Sequence, residues 1–208
     1  ELDSFSNANL DGARGVALNI PEEIPLPPNL SGSLFTVSGE NAAWTQRTID
    51  LSAYANKTIR LVFRHILGST GTSSFNGDLQ LDNISIDGNT YGFEGPTNHG
   101  FQTSGNGSQT TYGSVTWLNV STTGNVDEQW CIETGNTGSS GTGDLGAQSG
   151  SYFIYTETSS PVVNGDYFWL RSPEITLGST PGNLVFYEGR DGDNIGQFDV
   201  FVDDRTPV

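Results

Sequence analysis

Apolar and polar positions alternate along most of this chain with a period of two, in short bursts. In TIRLVFRHI, Ile59, Leu61 and Phe63 fall on one side and Arg60, Val62 and Arg64 on the other, the spacing of a half-buried strand. Ile49 and Leu51 alternate with polar residues in TQRTIDLS, and SLFTVSG is a short strand ending at Gly39. NGDLQLDNISIDGN repeats the pattern with Leu79 and Leu81 and, after a step, Ile84 and Ile86. It lies between the turn signals Asn76-Gly77 and Asp87-Gly88.

The second half continues in kind. SVTWLNV, EQWCIET, YFWLRSPEITL, NLVFYEG and GQFDVFVDD read as strands. In SYFIYTE, Tyr152, Ile154 and Thr156 alternate with Phe153, Tyr155 and Glu157, which puts aromatic rings on both faces. Residues 135–150 are too rich in glycine for regular structure. No window of a dozen residues has helical periodicity. The pattern predicts an all-β protein of about ten to twelve strands, a sandwich or jelly roll.

Residues 1–32 do not fit that pattern. PEEIPLPPN is proline-rich and extended, because proline fixes φ and removes a donor. We read residues 1–32 as an arm or linker, with Leu18, Ile20, Ile24 and Leu26 as apolar anchors, and residues 33–208 as the sandwich.

Composition narrows the function. The formal net charge of −16 argues against nucleic acid and anionic membrane surfaces as partners and suits solvation or divalent cations. Cys131 is the only cysteine, so no internal disulfide forms. No apolar run reaches the ~20 residues of a membrane-spanning helix. The first residues lack the plan of a signal peptide, so export would be by another route, after removal of a leader, or as part of a longer product.

Joined together, these motifs resemble the MAM family of extracellular jelly-roll modules. Phe93-Glu94 followed by Trp130 is similar to the family's opening. Thr142, Gly143, Gly150, Tyr152, Tyr155, Glu157 and Ser159 follow its middle, and Leu170, Ser172 and Pro173 its Leu-x-Ser-Pro. Leu184, Phe186, Tyr187, Gly192, Ile195, Gly196, Phe198 and Val200 follow its next strand pair. The family's closing half stands at the front instead: Trp44, Ile49 to Ser52, Ile59, Leu61, Phe63, Asp78, Leu81-Asp82, Ile84 and Ile86. The resemblance spans about 170 residues, with the C-terminal half of the pattern at 34–86 and the N-terminal half at 93–202. The family's cysteine pairs are missing, and Leu145-Gly146 replaces an acidic-basic pair.

Three arrangements explain that order: an intrachain permutation, half-modules completed by neighbouring chains, or one period cut from a tandem array. The resemblance also implies a structural calcium or sodium ion near Asp82 and Glu94, with Asp144 as a third oxygen donor.

Other motifs point to little chemistry. GTGDLG at residues 141–146 fits a dinucleotide fingerprint but has no strand–helix context, and reads as a loop. DGDNIG at 191–196 lacks the later ligands of a calcium loop and reads as a hairpin turn. Trp130, Tyr152, Tyr155, Trp169 and Tyr187 offer rings for stacking on a sugar or for the core. His65 and His99 are the only histidines, and no nucleophile–base motif accompanies them. Asn29, Asn56, Asn83, Asn106 and Asn119 begin N-glycosylation sequons.

The sequence therefore leads us to expect a non-catalytic extracellular or virion-surface module, structural or adhesive, that assembles with copies of itself into a fibre or array. A carbohydrate-binding module that recognises cell-surface glycans is the alternative, and a sandwich-fold glycan hydrolase or lyase a remote one.

Overall fold

The computed structural model describes residues 32–68, 76–94, 101–105, 108–109, 116–117, 126–127, 130–137, 141–158 and 162–203. Of the expected arm, Leu18, Ile20, Ile24 and Leu26 lie outside the described residues, as do Asn29, Asn106, Asn119 and His99.

The described chain forms strands and one 3₁₀ turn, Ser52–Tyr54. In the front half these strands are β1 (Phe35–Ser38), β2 (Asn41–Asp50), β3 (Thr58–Ile66), β4 (Asp78–Ile86) and β5 (Asn89–Tyr91). The back half supplies β6 (Gln102–Gly105), β7 (Ser108–Gln109), β8 (Thr116–Trp117), β9 (Val126–Asp127) and β10 (Trp130–Thr134). It continues with β11 (Tyr152–Thr156), β12 (Tyr167–Arg171), β13 (Ile175–Thr176), β14 (Asn183–Asp191) and β15 (Gln197–Asp203).

Two antiparallel sheets pack face to face. One runs β1-β15-β3-β12-β6, with β13 also on β3; the other runs β2-β14-β4-β11-β10-β8, with β5 also on β4. The two halves of the chain interleave. In the first sheet β15 separates β1 from β3, and in the second β14 separates β2 from β4. Only the β4–β5 hairpin pairs front-half strands with each other among the described residues. The sandwich is thus completed within one chain. Among the described residues, neither half needs a neighbour's strand to close the two sheets.

The core lies between the sheets. Leu61 and Phe63 of β3, Phe168 and Leu170 of β12, and Phe198 and Val200 of β15 face Leu79, Leu81, Ile84 and Ile86 of β4, with Leu184 and Phe186 of β14; all are buried. Phe186 meets Phe63 edge-on at 5.6 Å and Phe198 at 5.9 Å, the preferred geometry of aromatic pairs.

The step in LQLDNISI is a β-bulge. Asn83 has φ 49°, and the register with β14 shifts between Val185 and Tyr187. One extra residue on β4 lets Leu81 and Ile84 point to the same side. The Asp87-Gly88 turn closes the hairpin as expected, with both residues at positive φ. DGDNIG behaves differently from a hairpin turn: it carries the chain from β14 in one sheet to β15 in the other. Its Gly, Asp and Asn residues fit either connection, so local sequence alone does not separate them.

Candidate functional site

Two surfaces carry the polar chemistry of the described domain. The first is the outer face of the β2–β14–β4–β11 sheet, under the glycine-rich loop. On β4, Asp78, Gln80 and Asp82 alternate with the core residues Leu79 and Leu81, and all three are buried or nearly so. The register sets Tyr155 beside Gln80, and Cys131 beside Tyr155. Phe153, Tyr155 and Cys131 form a second apolar cluster there, with Trp44 and Ala147 packed against it. Both faces of β11 are buried because the loop lies over one of them, which is why SYFIYTE carries rings on both sides.

Asp78 pins that loop. Its Oδ2 lies 2.9 Å from Thr137 Oγ1 and 3.1 Å from Thr142 Oγ1, and its Oδ1 2.9 Å from Thr158 Oγ1. Thr137 Oγ1 also lies 2.8 Å from the Thr142 carbonyl. A hydroxyl has one hydrogen to give. The count closes when Asp78 is protonated on Oδ2 and donates to Thr137, which donates on to Thr142. Burial first, and then the negative charge of Glu157, push Asp78 up to about 7, in line with that count. Burial likewise holds the Cys131 thiol and Tyr155 phenol well above their ordinary ranges, so neither is an activated nucleophile. Gly143 lets the loop come this close: a Cβ there would stand 2.3 Å from Thr137 Cγ2, at a φ of +66°.

The expected cation ligands divide. Asp82 and Glu94 come to the same loop; Asp144 does not join them, and its amide donates to Asp191 Oδ2 at 3.0 Å. Asp82 Oδ1 accepts from the Asn83 amide at 2.6 Å, and Oδ2 from the Gln148 and Ser149 amides at 2.9 and 3.2 Å. Both Glu94 oxygens accept from the Ser151 amide, at 3.1 and 3.2 Å. Burial raises Asp82 to about 6, and nearby Glu94 adds to the shift. Amide hydrogens thus point at the oxygens a calcium ion would take, and no group of three His, Cys, Asp or Glu side chains is arranged for a metal among the described residues. The donor set fits a loop anchor better than a calcium cage. Asn83 adds to the anchor, donating to Gln148 Oε1 and Ser149 Oγ at 2.8 and 2.7 Å. Asn56, in contrast, is exposed.

The second surface is the outer face of the β1–β15–β3–β12 sheet. The five rings that sequence offered for stacking do not share it. Trp130 and Tyr155 are fully buried, Tyr152 packs against the main core, and Tyr187 lies on the other sheet. Only Trp169 remains on this face, because alternation sends Phe168 and Leu170 inward. Around it stand residues that sequence did not connect. Arg64 is opposite Trp169 on one side and opposite Asp199 on the other. Its guanidinium lies 5.4 Å from the Trp169 ring centroid and 4.9 Å from that of Phe201, and pairs with Asp199 at 2.5 Å. Tyr167 meets Trp169 edge-on at 5.9 Å. Arg171 pairs with Asp203 at 2.7 Å, and Arg60 with Glu174 at 3.2 Å.

Between the sheets, His65 is a core residue. Its Nε2 lies 2.8 Å from the Ile195 carbonyl and its Nδ1 2.9 Å from Thr156 Oγ1. A carbonyl only accepts, so Nε2 carries a proton, and full burial favours the neutral ring. Burial holds it down at about 4.

No family model matches the chain, and no solved structure matches it.

Proposed function

We propose that this chain is a non-catalytic structural or adhesive module of an extracellular or virion surface, MAM-like in its motifs, that assembles with copies of itself. One observation carries this reading. The sandwich closes within a single chain, yet among the described residues β1 and β2 are each paired on one side only, at the same end of the two sheets. The first described residue, Gly32, lies three residues before β1, at that end of the first sheet. β2 is ten residues long, and a long edge strand is a ready template for another chain. The arm has apolar anchors and a proline-rich stretch that pairs poorly within a central sheet, so its place is along an edge or face, its own or a neighbour's.

The described carboxylates support a non-catalytic role. Asp78, Asp82 and Glu94 hold loops. Glu188, fully buried, sits between Arg47 at 2.7 Å and Arg190 at 2.9 Å. The carbohydrate-binding alternative rests on Trp169 and its surroundings.

Sedimentation velocity of the intact chain and of a variant lacking residues 1–32 tests the reading. We expect a concentration-dependent assembly that the truncation reduces to monomer. An intact chain that stays monomeric at high concentration, or a truncated one that assembles unchanged, overturns it.

A further inference from the structure

The aromatic face built on β12, β3 and β15 has no role in closing the sandwich. Its floor is Val62 and Phe201, both buried although their neighbours Leu61, Phe63 and Val200 fill the core on the opposite side. Its rim is Tyr167, Trp169 and Ile66, all half-buried. The Trp169 and Phe201 rings meet at 6.2 Å, tilted by 43°, and the Arg64 guanidinium lies against both while Asp199 holds it in place. Tyr167 stands nearly perpendicular to Trp169, at 76°. The rings therefore form an angled seat whose shape is fixed before anything binds, which lowers the entropy lost on binding.

Three features select what fits there. The middle of a sheet face offers side chains but no free backbone partners. A ligand poor in backbone donors suits it, and proline-rich segments have that chemistry, with ring faces that stack on Trp and Tyr. Charge is the second feature. Of the eight Lys and Arg in a chain of net charge −16, three, Arg60, Arg64 and Arg171, are on this face. Each is paired with a carboxylate, Glu174, Asp199 or Asp203, so the face is close to neutral and repels an acidic peptide less than a uniformly acidic surface would. Reach is the third. From β1 the seat on β12 is three strand spacings away, roughly 14 Å at about 4.8 Å each. Seven residues of polyproline II, at about 3.1 Å each, span roughly 22 Å.

Residues 21–29, PEEIPLPPN, meet all three conditions. A polyproline II conformation, with three residues per turn, would put Pro25 and Pro28 on one edge, in line with Glu22. We propose that the Tyr167–Trp169–Phe201 face is the docking surface for this proline-rich segment of the chain's own sequence. The proposal rests on reading residues 1–32 as an arm; it adds the surface that receives it.

The test follows the Trp169 indole N–H by NMR in the intact chain, assigned with Trp169→Phe. Pro25→Ala, Pro27→Ala and Pro28→Ala are introduced together. We expect the Trp169 resonance to move in this triple variant, and a synthetic peptide of residues 19–30 added to that variant to move it back, saturably. Tyr167→Ser in the triple variant should weaken that titration by tenfold or more, with the other indole resonances unchanged as a check of folding. A Trp169 resonance indifferent to both the triple substitution and the peptide overturns the proposal. So does a saturable shift with neutral oligosaccharides and none with the peptide, which would make this a glycan platform. Sedimentation on the same samples separates the two readings. A monomer whose Trp169 resonance responds to the arm supports this proposal while ending the assembly reading. An arm-dependent assembly with an unresponsive Trp169 does the reverse.

Discussion

At the scale of single residues, the domain holds two buried ionisable groups that titrate in opposite senses. Asp78, raised to about 7, keeps its proton in the folded chain where the unfolded chain, near 3.8, has lost it. Its contribution to stability is full below about pH 4 and is lost as the pH rises through 7. His65, lowered to about 4, contributes fully above 6.5, and that contribution is lost as the pH falls toward 4. Asp82, raised to about 6, adds to the slope of Asp78, and both oppose that of His65, so the parent curve does not separate the three. Asp78→Asn isolates one. An amide keeps an acceptor for Thr158 and a donor for Thr137, copying the protonated acid. The variant's advantage over the parent should grow between pH 4 and 7 and level off near pH 8 at ~1–3 kcal/mol. Urea melts at pH 4.5, 6 and 8 measure it. An advantage that shrinks as pH rises would mean that Asp78 is ionised in the folded chain.

Secondary-structure elements were the most legible feature of the sequence, and pairings between them the least. Period-two alternation located β3, β4, β11, β12, β14 and β15, because each has one face in the core. It also showed Arg60, Val62 and Arg64 on one side of β3. Nothing local says that this side lies next to Trp169 and Phe201, since register depends on strands over a hundred residues apart. The same gap explains why Trp130 and Tyr155 looked available for stacking: aromatic residues read alike in a core and on a platform, and the covering loop carries no periodic signal. The step in β4 was legible, and it leads to an asymmetric prediction. Deleting Asn83 restores strict alternation, Leu79, Leu81, Ile84 and Ile86 remaining in phase against β14. Unfolding should stay cooperative, while the loop at Gln148 and Ser149, whose side chains lose the Asn83 carboxamide, loosens and its amides, bonded to Asp82, exchange with solvent at least several-fold faster. Inserting one alanine after Asn83 turns Ile84 and Ile86 out of the core and should abolish the folded state. Hydrogen exchange and thermal melts compare the two. Equal damage from deletion and insertion would rule out the bulge as the source of the step.

The whole molecule depends on interleaving. β14 lies between β2 and β4, and β15 between β1 and β3. A chain cut between residues 92 and 93 gives two pieces, neither with neighbours for its long strands. We expect each piece alone to lack cooperative unfolding, and an equimolar mixture to regain the far-ultraviolet spectrum and melting transition of the intact chain. A piece that melts cooperatively by itself would show that the halves are separate domains. Interleaving also sets a schedule for folding. As the chain leaves the ribosome, β1 to β4 emerge first, and the strands that join them into sheets emerge last. Over a hundred residues of sequence separate those partners, so the loops to be closed are long and folding is slow by topology. Until residues 183–203 arrive, β2 and β4 have no strand between them and Leu79, Leu81, Phe63 and Ile84 face water. During this interval the nascent protein is most open to aggregation and most dependent on chaperones. An early stop anywhere in the last two strands would be as damaging as one in the first.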